Sequence, residues 1–176
     1  MQADQLAALG RDLCAAALLR GDFVLSSGRR SSYYFDKYLF ETRPELLGPV
    51  GKALAARIPA GTEVLAAPEL GAVALAAAMS LESGLPFVIV RREPKEYGTA
   101  RFFEGSIAAG QNVLLVEDVV TTGGQALTAA GRLRRFGVHL DTCVCVLDRE
   151  EGGLARFREF EIRLDSLFTT SSLEIN

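Results

Sequence analysis

Short apolar runs alternate with helix-patterned stretches along most of this chain, and that alternation constrains the fold more than any other feature. Residues 63–67, 86–91, 111–117, 142–147 and 162–167 read as short strands rich in Val, Ile and Leu. Between them, 72–83, 123–136 and 153–160 read as helices. Two more helices precede them: 3–20, closed by Gly21, and 42–58, with Pro44 suited to its first turn. Strands alternating with helices predict an α/β fold: a mostly parallel central sheet flanked by helices on both faces. In such sheets ligands bind beyond the C-terminal strand ends. The segments after Ala67, Arg91, Val116 and Leu147 are therefore expected to converge on one site. Two stretches break the pattern. Residues 23–38 combine serines and a glycine with a run of aromatics, which predicts a turn followed by a short strand. Residues 92–105 are charged, carry Pro94, Gly98 and Gly105, and show no period.

Composition narrows the class. The 176 residues are 49% hydrophobic and 23% charged, ordinary for one globular domain, and no linker or repeat divides them. A net charge of −3 argues against nucleic acid as a partner. The most apolar helical stretch, 71–79 with Leu81, is too short for a bilayer, which needs about 20 residues. It is expected to be buried against the sheet, with no membrane partner. The N-terminus shows no basic region followed by an apolar run, so no secretory signal is expected. Three cysteines without a framework spacing fit a reducing cytoplasm. Cys143 and Cys145, two apart on a strand, read as small hydrophobes sharing one buried face.

The chemistry concentrates in Val113-Leu114-Leu115-Val116-Glu117-Asp118-Val119-Val120-Thr121-Thr122-Gly123-Gly124-Gln125. A buried strand leads into two carboxylates, then into a loop of hydroxyls and glycines that opens a helix. The glycines let the backbone approach an anion, the threonines add donors, and the helix N-terminus adds oriented N–H groups with partial positive charge. That end suits a phosphate. Glu117 and Asp118 suit neutral hydroxyls or a divalent cation. A 5-phosphorylated ribose offers phosphate and hydroxyls on one molecule. The segment lacks the Gly-Lys-Ser/Thr of a nucleoside-triphosphate loop and the Gly-x-Gly-x-x-Gly of a dinucleotide turn.

This string resembles the phosphoribosyl-diphosphate (PRPP) motif of the type I phosphoribosyltransferases. Three other segments are similar to those of the orotate phosphoribosyltransferases: the charged loop Arg91-Arg92-Glu93-Pro94-Lys95-Glu96-Tyr97-Gly98-Thr99, the stretch Ser26-Ser27-Gly28-Arg29-Arg30-Ser31-Ser32-Tyr33-Tyr34-Phe35-Asp36, and Leu147-Asp148-Arg149. Their order and spacing agree across nearly the whole chain. Ser26, Gly71 and Tyr97 stand where some or many members carry lysine, lysine and histidine.

The resemblance implies a type I phosphoribosyltransferase fold over residues 1–176, with a small hood formed by about 1–40 and the C-terminal end. It implies transfer of 5-phosphoribosyl from PRPP to orotate, giving orotidine 5-monophosphate and diphosphate in pyrimidine biosynthesis. Lys95, Asp118 and Arg91 would stand nearest the chemistry. PRPP would be held by Arg91, Arg92, Lys95 and Tyr97 together with Glu117, Asp118, Val119, Val120, Thr121, Thr122, Gly123, Gly124 and Gln125. Glu69, Leu70 and Gly71 would form the diphosphate loop, with a cis peptide expected between Glu69 and Leu70. Tyr34, Phe35, Thr121 and Arg149 would border orotate, the arginine's planar fork matching a carboxylate. Mg2+ would arrive on the PRPP oxygens, with no direct protein ligand. The lid after Arg91 would be shared between the subunits of a homodimer. Two rivals remain at this stage. A phosphoribosyltransferase for a purine base shares residues 113–125 but leaves Tyr34-Phe35 and Asp148-Arg149 unexplained. A non-catalytic sensor of PRPP would be expected to lose an acid or the lid lysine.

Overall fold

The computed structural model describes residues 2–24, 30–93 and 102–175. In chain order the elements are α1 (Ala3–Ala17), β1 (Leu18–Val24), β2 (Arg30–Phe35), α2 (Tyr38–Glu41), α3 (Pro44–Ala55), β3 (Val64–Pro68), α4 (Ala72–Ser83), β4 (Phe87–Val90), β5 (Phe103–Glu104), β6 (Val113–Val120), α5 (Gly124–Phe136), β7 (Thr142–Asp148), α6 (Gly153–Glu159) and β8 (Arg163–Thr169). The central sheet runs β5-β4-β3-β6-β7-β8, parallel except for β5.

Strand alternation builds the two layers, because successive side chains point to opposite faces. Leu114, Val116, Val144 and Val146 pack with Leu13, Val50, Leu54 and Met79 of α1, α3 and α4. Val113, Leu115, Cys143 and Cys145 face the other way, onto Leu127, Leu133 and Phe157 of α5 and α6. The two cysteines thus share one fully buried face, as their spacing predicts. Burial pushes both thiols well above the usual range, so they act as packing groups rather than nucleophiles. Among the described residues no helix is long and apolar enough to cross a membrane.

Three boundaries differ from the pattern. The first helix stops at Ala17 rather than Arg20. Leu18, Leu19 and Arg20 are good helix formers, but they pair antiparallel with Phe35, Tyr34 and Tyr33, and the Ala17 carbonyl accepts the Asp36 N–H at 2.8 Å. Cross-strand pairing with an aromatic run overrides local propensity here. Strand β6 continues past Glu117 to Val120, because Val119 and Val120 pair with Leu147 and Asp148. Strand β5 has only two residues, joined to Ile89 and Val90 by backbone bonding that leaves no periodic trace in sequence. The β1–β2 ribbon and α1 form a small unit at one end of the sheet. The C-terminal segment returns to it, with Leu173 and Phe168 closing on Gly10.

Candidate active site

The C-terminal ends of β3, β4, β6 and β7 meet on one edge of the sheet. Glu117 and Asp118 lie inside β6, both buried. The Glu117 carboxylate accepts the Asp118 N–H at 3.1 Å, and Asp118 Oδ1 accepts the Val119 N–H at 2.5 Å. Asp118 Oδ2 meets the Lys37 ammonium at 2.5 Å. Burial and the neighbouring Asp118 charge push the Glu117 carboxyl well above the usual range. Burial opposes the Lys37 charge, but Asp118 and Glu117 outweigh it and raise the lysine above its ordinary value. The two acids therefore differ in surroundings: burial disfavours the charged form of Glu117, whereas Asp118 faces the Lys37 ammonium.

The strand passes through Thr121 and Thr122 into α5. Gly123 is the turning point, with φ 72, and a Cβ there would lie 2.7 Å from the Phe157 ring. Only glycine meets both demands. The loop is braced from α6, where Arg156 donates to the Thr122 carbonyl at 2.9 Å. The first N–H groups of α5 have no partner within the helix and form a cradle, with Thr122 Oγ1 beside Gly124.

Beside this cradle, Pro68 leads into Glu69-Leu70-Gly71, and the Glu69–Leu70 peptide is cis, as expected. The Glu69 carboxylate accepts the Arg92 N–H at 2.7 Å, and the Arg92 guanidinium donates to Gln125 at 3.3 Å. These contacts join the ends of β3 and β4 to the first turn of α5. The cleft between them has a volume of about 290 Å3 and is lined by Glu69, Arg91, Arg92, Gln125 and Arg132, among others. Arg91 pairs with Glu104 at 3.6 Å and donates to the Glu93 carbonyl at 3.3 Å.

On the other flank, Arg149 follows β7. Its N–H donates to the Val120 carbonyl at 2.8 Å, which sets it next to Thr121. Its guanidinium is buried, lies 4.8 Å from the centre of the Tyr33 ring, and pairs with Glu151 at 3.0 Å. Among the described residues the Arg149 Nε has no hydrogen-bond partner.

The structure thus brings together Glu69, Leu70, Gly71, Arg91, Arg92, Arg149 and the whole stretch from Glu117 to Gln125. Tyr34 and Phe35 are split by strand alternation. Tyr34 is exposed against Phe23, whereas the Phe35 ring is buried against Phe40. Tyr33 is the ring beside Arg149. Ser26, Lys95 and Tyr97 lie outside the described residues. Two groups escaped the sequence reading, Lys37 and Glu41. Glu41 is buried on α2, and burial, reinforced by the Asp118 charge, pushes its carboxyl to about 8. A lysine after an aromatic run carries no local signal; only the tertiary fold brings it to Asp118.

Known proteins share this arrangement. Residues 50–165 match the family model described as "Phosphoribosyl transferase domain". An orotate phosphoribosyltransferase from Methanocella arvoryzae is 50% identical over 153 residues, 87% of each chain. Among solved structures, the orotate phosphoribosyltransferase of Aeropyrum pernix superposes with a TM-score of 0.82 at 32% identity, covering 94% of this chain and 95% of that one. The Mycobacterium tuberculosis enzyme, in complex with PRPP, superposes with a TM-score of 0.80 at 28% identity, covering 97% and 99%. The chain belongs to the orotate phosphoribosyltransferase family, within the type I phosphoribosyltransferases.

Proposed function

We propose that this chain transfers the 5-phosphoribosyl group of PRPP to orotate, releasing diphosphate and forming orotidine 5-monophosphate, a step of pyrimidine biosynthesis. The observation that carries the reading is the order of groups along one sheet edge: a glycine turn opening α5, a buried acid pair on β6, and a buried arginine just after β7. Thr122 to Gln125 take the 5-phosphate. Glu117 and Asp118 bind the ribose hydroxyls. Glu69, Leu70 and Gly71 receive the diphosphate. Arg149 already faces a carboxylate, that of Glu151, and holds the orotate carboxylate in the same manner, with Thr121 and the Tyr34-Phe35 backbone beside it.

A ring nitrogen of orotate forms a bond to ribose C1 as the C1–oxygen bond breaks. The electron pair of that bond leaves with diphosphate, and the nitrogen's proton passes to solvent. Positive charge grows on the sugar and negative charge on the leaving group, so preorganised cations supply much of the rate. Arg91, Arg92 and Lys95 are placed for this by chain order. Among the described residues no cluster of three or more acids, histidines or cysteines could hold a metal. The hard oxygens of Asp118 suit Mg2+ carried by PRPP and reached through water, and the ion would neutralise diphosphate charge. We further propose one domain, a homodimer in which the lid lysine serves the neighbouring site, and a cytoplasmic location.

An ultraviolet assay with PRPP, Mg2+ and a panel of bases tests the reading. Orotate alone should be consumed. Turnover of a purine in its place, or none with any base, would overturn it.

A further inference from the structure

We infer that Lys37 binds the leaving group: its ammonium, held over Gly71 by Asp118, takes an oxygen of the PRPP diphosphate, and residue 71 is glycine because a side chain there would displace the Asp118–Lys37 pair. The inference rests on the phosphoribosyl-transfer reading and adds a residue to it from the hood.

Lys37 stands just after the β1–β2 ribbon, where the chain enters α2. Its side chain crosses to Asp118, which is 3% exposed, while Lys37 itself keeps 30% of its side-chain surface open. A Cβ built on Gly71 would fall 1.6 Å from Asp118 Oδ2 and 2.6 Å from Lys37 Nζ. The ammonium therefore rests against the backbone of the diphosphate loop itself. An ammonium has three N–H donors. Asp118 takes one, and among the described residues no other hydrogen-bond acceptor is seen at Nζ. A largely buried ion pair offsets its desolvation only when its remaining donors find partners, and an anion on the diphosphate loop would supply them.

Charge balance points the same way. Glu41, Glu117 and Asp118 surround one lysine, a set that would repel diphosphate if every acid were ionised. Burial raises both the Glu41 and the Glu117 carboxyls, Glu41 to about 8, which favours their neutral forms and lessens that repulsion while the cation stays on the open side.

The test uses the full-length chain and Lys37→Met, with circular dichroism to confirm folding. Diphosphate with Mg2+ and, separately, ribose 5-phosphate are titrated by calorimetry, and PRPP kinetics are measured with orotate. Lys37→Met should weaken diphosphate binding by about tenfold to a hundredfold, the range for losing a hydrogen bond to a charged group. It should raise KM for PRPP or lower kcat, and leave ribose 5-phosphate binding and KM for orotate nearly unchanged. Lys37→Arg should recover part of the loss. Should Lys37→Met not fold, Lys37→Gln, which removes the charge but keeps a donor for Asp118, should give the same selective loss. Equal weakening of both ligands would make Lys37 only a support for Asp118 and overturn the inference, as would unchanged diphosphate affinity in a folded variant. A wild type that binds diphosphate through Lys37 yet consumes no orotate would instead refute the proposed reaction alone.

Discussion

Arg149 shows how one side chain combines specificity with burial. Its guanidinium sits on the Tyr33 ring, pairs with Glu151, and leaves Nε without a partner among the described residues. A planar fork can hold two carboxylates at once, whereas an ammonium cannot reproduce that geometry. Arg149→Lys should therefore raise KM for orotate by about tenfold or more, with KM for PRPP within twofold, about the scatter of such assays. Steady-state kinetics with each substrate varied checks this. A parallel rise in both constants would place Arg149 away from the base. The residue was legible in sequence because Leu147-Asp148-Arg149 resembles the Leu-Asp-Arg segment of the family. Tyr33 was not, because the aromatic run alone does not say which of its rings faces inward. Strand alternation decides that, and it turns Tyr33 and Phe35 to one side and Tyr34 to the other.

At the scale of elements, the β6–α5 connection is the rigid part of the site. Strand β6 is paired on both sides, by β3 and β7, and the loop is tied to α6 through Arg156. Gly123→Ala would force a side chain into a left-handed backbone and onto Phe157. It should cost about 1–3 kcal/mol of stability and weaken binding of inorganic phosphate, readable by thermal denaturation and calorimetry. Unchanged melting and phosphate affinity would show that the turn has another solution. The same strand explains why its end was misjudged from sequence. Glu117 and Asp118 look like the start of a loop, yet both lie inside the strand, Glu117 opposite Cys145 and Asp118 between two paired residues. A polar pair inside a central strand is tolerated because its hydrogen bonds are satisfied locally and by Lys37.

For the whole molecule, the buried acids link folding to pH. Glu41 has a folded value of about 8 against an ordinary 4.5. Between these values the unfolded chain releases a proton that the folded chain keeps, so stability falls as pH rises through that window. Below about pH 4.5 the contribution is intact, and above about pH 8 it is lost. Glu117 acts in the same direction. Glu41→Gln should therefore raise the melting temperature near pH 8–9 by about 5 °C or more and change it little near pH 5. Identical pH profiles for variant and wild type would show that Glu41 does not titrate there. The proposed dimer makes a second prediction at this scale. Lys95→Ala should lower turnover far more than PRPP affinity. Mixing inactive Lys95→Ala and Asp118→Asn chains should restore about a quarter of wild-type activity, because half the dimers are mixed and each keeps one intact site. No recovery after exchange of subunits would show that the lid serves its own chain.

The parallel α/β layering, the phosphate-binding turn and the acid pair could all be read from residue order, because each rests on local rules: strand and helix periodicity, glycine at a left-handed turn, and hydroxyls at a helix start. The sheet edge on which the four segments meet followed from the same alternation. The short strand β5, the end of α1 at Ala17, and the union of Lys37, Glu41 and Gly71 around Asp118 were decided by tertiary structure alone. They depend on backbone pairing and on contacts between residues as far apart as 37 and 118, and such contacts leave no mark on the local sequence.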